Sequence, residues 1–145
     1  MSSIVKKLSV STLKVENIMT KNVFCLSAAT TVKDAIKIYV ELAISGAPLI
    51  LPTTEILLTV VSESDLIKFA AMDGLDKPLN DFIDRLPKLE DMVTARAEDS
   101  FGALFKKLLL KPVRRVIVVT PAGHVVGIVS RRDVMKAFVE EDEKA

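Results

Sequence analysis

The chain is written twice. A helix-like segment beginning at Val32 recurs at Phe101, and the turn proline Pro52 recurs at Pro121; both offsets are 69 residues. Ser62 and Ser130, like Asp65 and Asp133, stand 68 apart. The one-residue change falls in the turn or the strand after it, where an indel is tolerated. Repetition at a near-constant offset means one supersecondary unit made twice. A unit of about 60 residues cannot close a good core alone. The two are therefore expected to pack face to face about a pseudo-two-fold axis. Together, at 145 residues, they are long enough to form an ordinary domain without disulfide or metal staples.

Within each half the hydrophobic period changes in the same order. Val32, Ala35, Ile36, Tyr39, Val40 and Ala43 recur at helical spacing, with Lys33, Asp34, Lys37 and Glu41 between them. Thr30 or Thr31 is the expected N-cap, and Ser45-Gly46 the expected stop. Short apolar runs at 47–51 and 56–61, separated by Pro52-Thr53-Thr54-Glu55, predict two strands and a turn. Ser62-Glu63-Ser64-Asp65 then opens a helix with Leu66, Phe69 and Ala70 on one face. In the second half a helix runs from 100 to about 110, with Phe101, Leu104, Phe105 and Leu108 as its stripe. Lys111-Pro112 ends it, because proline cannot continue the hydrogen-bond ladder. Strands follow at 116–119 and 125–129 around the turn "TPAGH". Ser130-Arg131-Arg132-Asp133 opens the last helix, and "EEDEKA" reads as a frayed polar end. Between the halves, "LNDFIDRL" predicts one short linking helix.

Composition removes several classes of function. A net charge of +1 gives no large basic footprint for nucleic acid, and Arg131-Arg132 has no aromatics interleaved with it. The lone cysteine, Cys25, cannot form an internal disulfide and fits a reducing compartment. No apolar run approaches the roughly 20 residues that span a bilayer, and the first 20 residues lack a signal-peptide core. The expectation is a cytoplasmic protein that does not enter a membrane. His124 is the only histidine, and no cysteine or carboxylate cluster accompanies it at ligand spacing, so no metal site is expected. Five glycines provide no phosphate loop. Cys25, in "VFCL", reads as a small hydrophobe rather than a nucleophile. No catalytic residue and no required cofactor emerges, and the chain is not expected to be an enzyme.

The motif Ser-x-x-Asp at the end of a strand has two readings. As a capping box, the serine oxygen accepts a backbone N–H and the acid reaches back to the helix entrance. As a ligand site, the first turn offers free N–H groups and positive potential. There the aspartate can accept from a ribose, the serine can donate to phosphate, and Arg114, Arg115, Arg131 and Arg132 can add charge-assisted bonds. A repeated fold repeats its caps, so repetition alone does not decide between the two. Arginines beside an otherwise apolar hairpin are harder to explain structurally than a cap is.

With "TVVSESD" and "GIVSRRD" at matched places, the sequence resembles the cystathionine-β-synthase (CBS) domain family. "ENIMTKNVFCLSAATTVKDAI" is similar to that family's entry segment, and "ISGAPLI" and "PVRRVIVV" resemble the strand before its hairpin. The resemblance runs from about residue 14 to 139. It implies an α/β (α+β) fold of two pseudo-symmetric β-α-β-β-α units, 14–72 and 89–141, joined by 73–88. It also implies clefts between the units that bind an adenosine-containing molecule: AMP, ADP, ATP or S-adenosylmethionine. Carried over residue by residue, a first cleft would use Thr20, Val23, Ile44, Ser45, Ser130, Arg132 and Asp133. A second would use Ser62, Ser64, Asp65, Met92, Val113, Arg114 and Arg115. Such modules commonly pair, which implies a homodimer through the helices at 66–72 and 134–139 and an unknown regulated protein. An interaction scaffold with vestigial clefts is the alternative. The halves also differ: Thr59 stands where the second repeat has Gly127, and Ser45-Gly46 where it has Arg114-Arg115. The two clefts are thus expected to be chemically unequal.

Overall fold

A computed structural model describes residues 3–144 and divides them into two compact units. The contiguous unit is Phe24–Met92. The composite unit joins the described residues up to Val23 to those from Val93 onward. Each is built on one three-stranded sheet.

In the contiguous unit, β1 (Leu26–Ser27) runs parallel to β2 (Gly46–Ile50), and β2 pairs antiparallel with β3 (Leu57–Ser62). A parallel pair needs a crossover, and α3 (Val32–Leu42) provides it. Thr31 caps α3 by accepting the Asp34 N–H at 3.2 Å. The helix ends before the expected Ser45-Gly46: Ala43 already takes the left-handed conformation, φ 54°, and its N–H closes the last turn on Tyr39 and Val40 carbonyls. Gly46 is instead the first residue of β2. The middle strand is apolar without alternation because both its faces are covered. At the sheet edge, β3 alternates, with Leu57, Thr59 and Val61 buried. Helix α4 (Glu63–Ala71) follows at once and buries Leu66 and Phe69. The linking segment forms a 3-10 helix, Leu79–Arg85, rather than an α-helix. Its Leu79 and Phe82, together with Leu86, belong to the core, and Phe82 stacks on Phe69 at 4.3 Å between ring centroids. Each such side chain contributes about 1.5–3 kcal/mol by leaving water.

The composite unit repeats the plan. β4 (Thr94–Ala95) is parallel to β5 (Arg115–Val119), and β5 is antiparallel to β6 (Val125–Ser130). Ser100 caps α5 (Phe101–Leu110), which ends at Lys111, before Pro112. α6 is Arg131–Asp142. The one-residue difference between the repeats falls in the turn: Ile50 to Leu57 in one hairpin, Val119 to Val125 in the other.

Two elements here have no counterpart in the sequence reading. α1 (Ser3–Val10) buries Leu8 and packs on α5 and α6, and α2 (Val15–Ile18) packs on α6 and β6. The segment after α2 bridges β6, with reciprocal Thr20–Ile128 backbone bonds of 2.8 and 3.0 Å. This explains Gly127: a Cβ there would run into the side chain of Met19. In the contiguous unit the matching position is Thr59, whose hydroxyl donates to the Pro87 carbonyl at 2.6 Å. The chain end is also better ordered than "EEDEKA" suggested. Helix α6 continues to Asp142, whose carbonyl accepts from Lys7 Nζ at 2.6 Å. Glu141 is buried and takes a 2.6 Å bond from Lys144. Ala145 lies outside the described residues.

Candidate functional site

Each sheet delivers a Ser-x-x-Asp to the entrance of a helix. In the composite unit Ser130 is the last residue of β6 and the N-cap of α6. Asp133 Oδ2 accepts from the Ser130 N–H at 2.8 Å and from its Oγ–H at 3.0 Å. Ser130 Oγ in turn accepts the Asp133 N–H at 3.2 Å. The contiguous unit repeats this with Ser62 and Asp65 at 2.8, 2.9 and 3.1 Å. Both boxes are therefore formed caps. Each uses only one carboxylate oxygen, and the other has no hydrogen-bond partner among the described residues. Asp65 and Asp133 are both half-buried.

Around these entrances the expected residues are grouped by unit. Thr20 and Val23 lie in the composite unit, with Thr20 paired to Ile128, two positions before Ser130. Arg132 is exposed in the first turn of α6. Ser64 holds the same place in α4. Ile44 and Ser45 precede β2 in the contiguous unit, where the Ser45 carbonyl accepts the Glu63 N–H at 2.9 Å. Met92 ends that unit, half-buried. Val113 and Arg114 precede β5, and Arg115 is its first residue. The structure thus places Val113, Arg114 and Arg115 beside Ser130, and Ile44 and Ser45 beside Ser62 and Glu63.

Each unit has a cavity at this place. In the composite unit a cavity of about 260 Å³ has walls from Leu108, Val113, Val116, Val129 and Val134, and a rim of Arg114, Arg115, Ser130 and Arg131. In the contiguous unit a cavity of about 440 Å³ is lined by Tyr39, Ile44, Ser45, Glu63, Leu66 and Ile67, among others. The Tyr39 hydroxyl donates to the Val61 carbonyl at 2.6 Å. A third hollow, about 200 Å³, lies on the other flank of α6 between Asn17, Ile18, Asp133, Lys136, Ala137 and Glu140. Its walls are mainly polar. Asp133 thus faces a polar recess formed with the entry segment, while Ser130 borders the arginine-rimmed cavity. Arg131 was already a candidate cation in the sequence; Met135, Asn17 and Lys136 were not singled out individually. The 68-residue offset could have found Met135, since it maps it onto Ile67.

Among the described residues no group of three or more histidine, cysteine or acidic side chains stands within reach of one metal ion. Burial, and then the negative charge of Glu55, raise the Cys25 thiol above its ordinary pKa. That disfavours the thiolate a nucleophile needs. No helix among the described residues is long and apolar enough to cross a membrane.

Comparison with known proteins agrees with this architecture. Residues 15–71 and 88–140 each match the family model described as CBS domain. An uncharacterised protein of Methanocaldococcus jannaschii is 26% identical over 128 residues, covering 88% of this chain and 40% of the relative. The A-adding tRNA nucleotidyltransferase of Aquifex aeolicus is 31% identical over 132 residues, covering 91% of this chain and 15% of that enzyme. The chain thus spans less than half the length of these curated relatives. Among solved structures, CBSX2 in complex with AMP superposes with a TM-score of 0.72 at 26% identity, covering 90% of this chain and 99% of that one. The CBS domain pair of protein MJ0100, solved with 5′-methylthioadenosine and S-adenosyl-L-methionine, gives 0.70 at 20% identity, covering 90% and 99%.

Proposed function

The chain belongs to the CBS-domain family, and from that premise we propose that it is a non-enzymatic regulatory module that binds an adenosine-containing ligand and reports its level to a partner protein. The observation that carries this reading is the pair of Ser-x-x-Asp entrances. In each, one aspartate oxygen secures the helix and the other is left for a ligand. Asp133 and Asp65 would take ribose hydroxyls. Ser130 and Arg132, with Thr20 and Val23 alongside, would meet the phosphate and base in the composite unit. Ser62 and Ser64 would do so in the contiguous unit, where Ile44 and Ser45 add apolar and polar contacts and Met92 closes the segment. Val113, Arg114 and Arg115 bring further apolar and cationic surface. CBSX2 bound to AMP supports the ligand class.

The ligand set is AMP, ADP, ATP or S-adenosylmethionine, with no separate cofactor. The setting is the cytoplasm. Self-association through the helices at 66–72 and 134–139 belongs to the same reading, because Ile67, Met72, Met135 and Val139 are exposed apolar residues on them. Calorimetric titration with AMP, ATP and S-adenosylmethionine tests the ligand assignment. A ligand at a hundredfold its Kd should stabilise the fold by about 2.7 kcal/mol. Silence with all three, in heat and in thermal shift, refutes it.

A further inference from the structure

Duplication left the two repeats with opposite charge. Residues 100–132 carry seven lysines and arginines and not one aspartate or glutamate, whereas the matching stretch, 31–64, carries two lysines against four acids. The net charge is thus +7 in one repeat and −2 in the other. Much of the positive charge gathers where α5 ends. Lys106, Leu109 and Leu110 stand three and four residues apart on that helix, which puts them on one face, and Lys111 follows directly. Leu109 is 67% exposed and Leu110 89%. Arg114, Arg115 and Arg131 gather beside the same helix end, around the cavity that Leu108 and Pro112 also line. The fold uses only part of this charge. Lys107 donates to the Thr94 carbonyl at 3.1 Å, and Arg131 to the Val113 carbonyl at 3.3 Å. Lys106, Lys111 and Arg114 have no ion-pair or hydrogen-bond partner among the described residues.

A pair of leucines standing clear of their own unit, among cations without partners, suits a surface that is apolar within and anionic without. We infer that the end of α5 docks on an anionic bilayer, Leu109 and Leu110 entering the headgroup boundary while Lys106 and Lys111 meet the charged headgroups. Both contributions are needed, since two leucines bury little apolar area and lysines alone are screened by salt. The chain would rest on the membrane by this helix end without crossing it. Nucleic acid matches the charge but has no use for the leucines. This stretch also exposes no aromatic ring on which a base could stack, because Phe101 is buried and Phe105 half-buried. Lys106, Leu109, Leu110 and Lys111 have no place in the adenosine-ligand reading, so the two stand or fall separately.

The test is co-sedimentation of the intact chain with vesicles of pure phosphatidylcholine and of phosphatidylcholine with about one-third phosphatidylserine, at low and high salt. The chain should bind the anionic vesicles at low salt, bind them less at high salt, and stay free of pure phosphatidylcholine. A cation near such a surface is worth about fivefold in partitioning, so Lys106→Gln with Lys111→Gln should cut binding about thirtyfold. Leu109→Ala with Leu110→Ala should cut it at least about tenfold. All four side chains are exposed, so both double variants should melt within about 2 °C of the parent and bind AMP as the parent does. Absence of binding to anionic vesicles at low salt, equal binding to both vesicle types, or binding that either double variant leaves intact overturns the assignment. Binding of a single-stranded DNA oligonucleotide in place of vesicles, lost with the lysines and kept without the leucines, also overturns it and gives the face to nucleic acid. A parent that binds anionic vesicles but not AMP refutes the ligand reading alone.

Discussion

Replacing Asp133 by alanine separates the two jobs of its carboxylate. In the fold, Oδ2 accepts two hydrogen bonds from Ser130 and secures the first turn of α6. Losing that return contact, together with a negative charge at a helix N-terminus, costs about 1–2 kcal/mol. For a chain of this size that is a fall in Tm of about 3–8 °C. Ser130→Ala removes the other half of the box, the acceptor for the Asp133 N–H, at a similar cost in stability. Ligand affinity distinguishes the two variants. Where Oδ1 accepts from a ribose hydroxyl, its loss removes a charge-assisted bond of about 1.5–3 kcal/mol. The AMP Kd should then rise about 10- to 150-fold in Asp133→Ala. Ser130→Ala, which keeps the carboxylate, should lose only the smaller hydroxyl contact. The assay is differential scanning calorimetry paired with isothermal titration, with Asp65→Ala as the matching variant in the contiguous unit. If Asp133→Ala and Asp65→Ala both melt early yet bind AMP within twofold of the parent, the motif is a cap and nothing more.

Gly127→Ala drives a Cβ into Met19, and overpacking of this kind costs about 1–3 kcal/mol; urea unfolding should show the loss, and Met19→Ala in the same chain should recover part of it. Acid should loosen the end of α6 selectively. The hydrogen bond from Lys144 holds the Glu141 carboxyl below its ordinary pKa, with help from the Ser11 hydroxyl and against the burial that raises it. A depressed carboxyl adds stability that is complete above the unfolded pKa and is lost as pH falls through the folded value. Protection factors at residues 138–142, taken against intrinsic exchange at each pH, should therefore fall as pH falls through the acidic range, and Glu141→Gln should flatten that dependence.

Most of the fold was written in periodicity and punctuation. Thr31, Ser62, Ser100 and Ser130 all act as N-caps where the sequence put helix starts, because a hydroxyl before an apolar stripe has a local physical job. The hairpins were legible for the same reason: short apolar runs bounded by Pro, Thr and Gly leave few alternatives. What failed was set by tertiary packing. Helix α1 was missed because its apolar pattern, Ile4 and Leu8 one turn apart, is too short to be distinctive; what makes it structure is packing on α5 and α6. The stop at Ala43 was missed because a left-handed alanine carries no sequence mark, unlike a glycine. The contrast between Thr59 and Gly127 was visible in the sequence but could not be interpreted there. Its cause lies in what covers each edge strand: the Met19 side chain in one unit, the Pro87 carbonyl in the other.

The site was legible to a different depth. A capping box and a ribose clamp need the same two residues at the same spacing, so the motif located the helix entrances without revealing their use. The structure narrows this by showing that the box occupies one carboxylate oxygen and leaves the second. The division among the arginines was not legible at all. Consecutive residues on a helix point about 100° apart, so Arg131 and Asp133 line different hollows although two positions separate them. Duplication then copied the boxes faithfully and let the rim charges diverge, Glu63 against Arg131. The shared geometry of the two helix entrances is set by the cap. Charges beside it that do not take part in the cap are free to change sign between the repeats, and such a change costs the fold almost nothing.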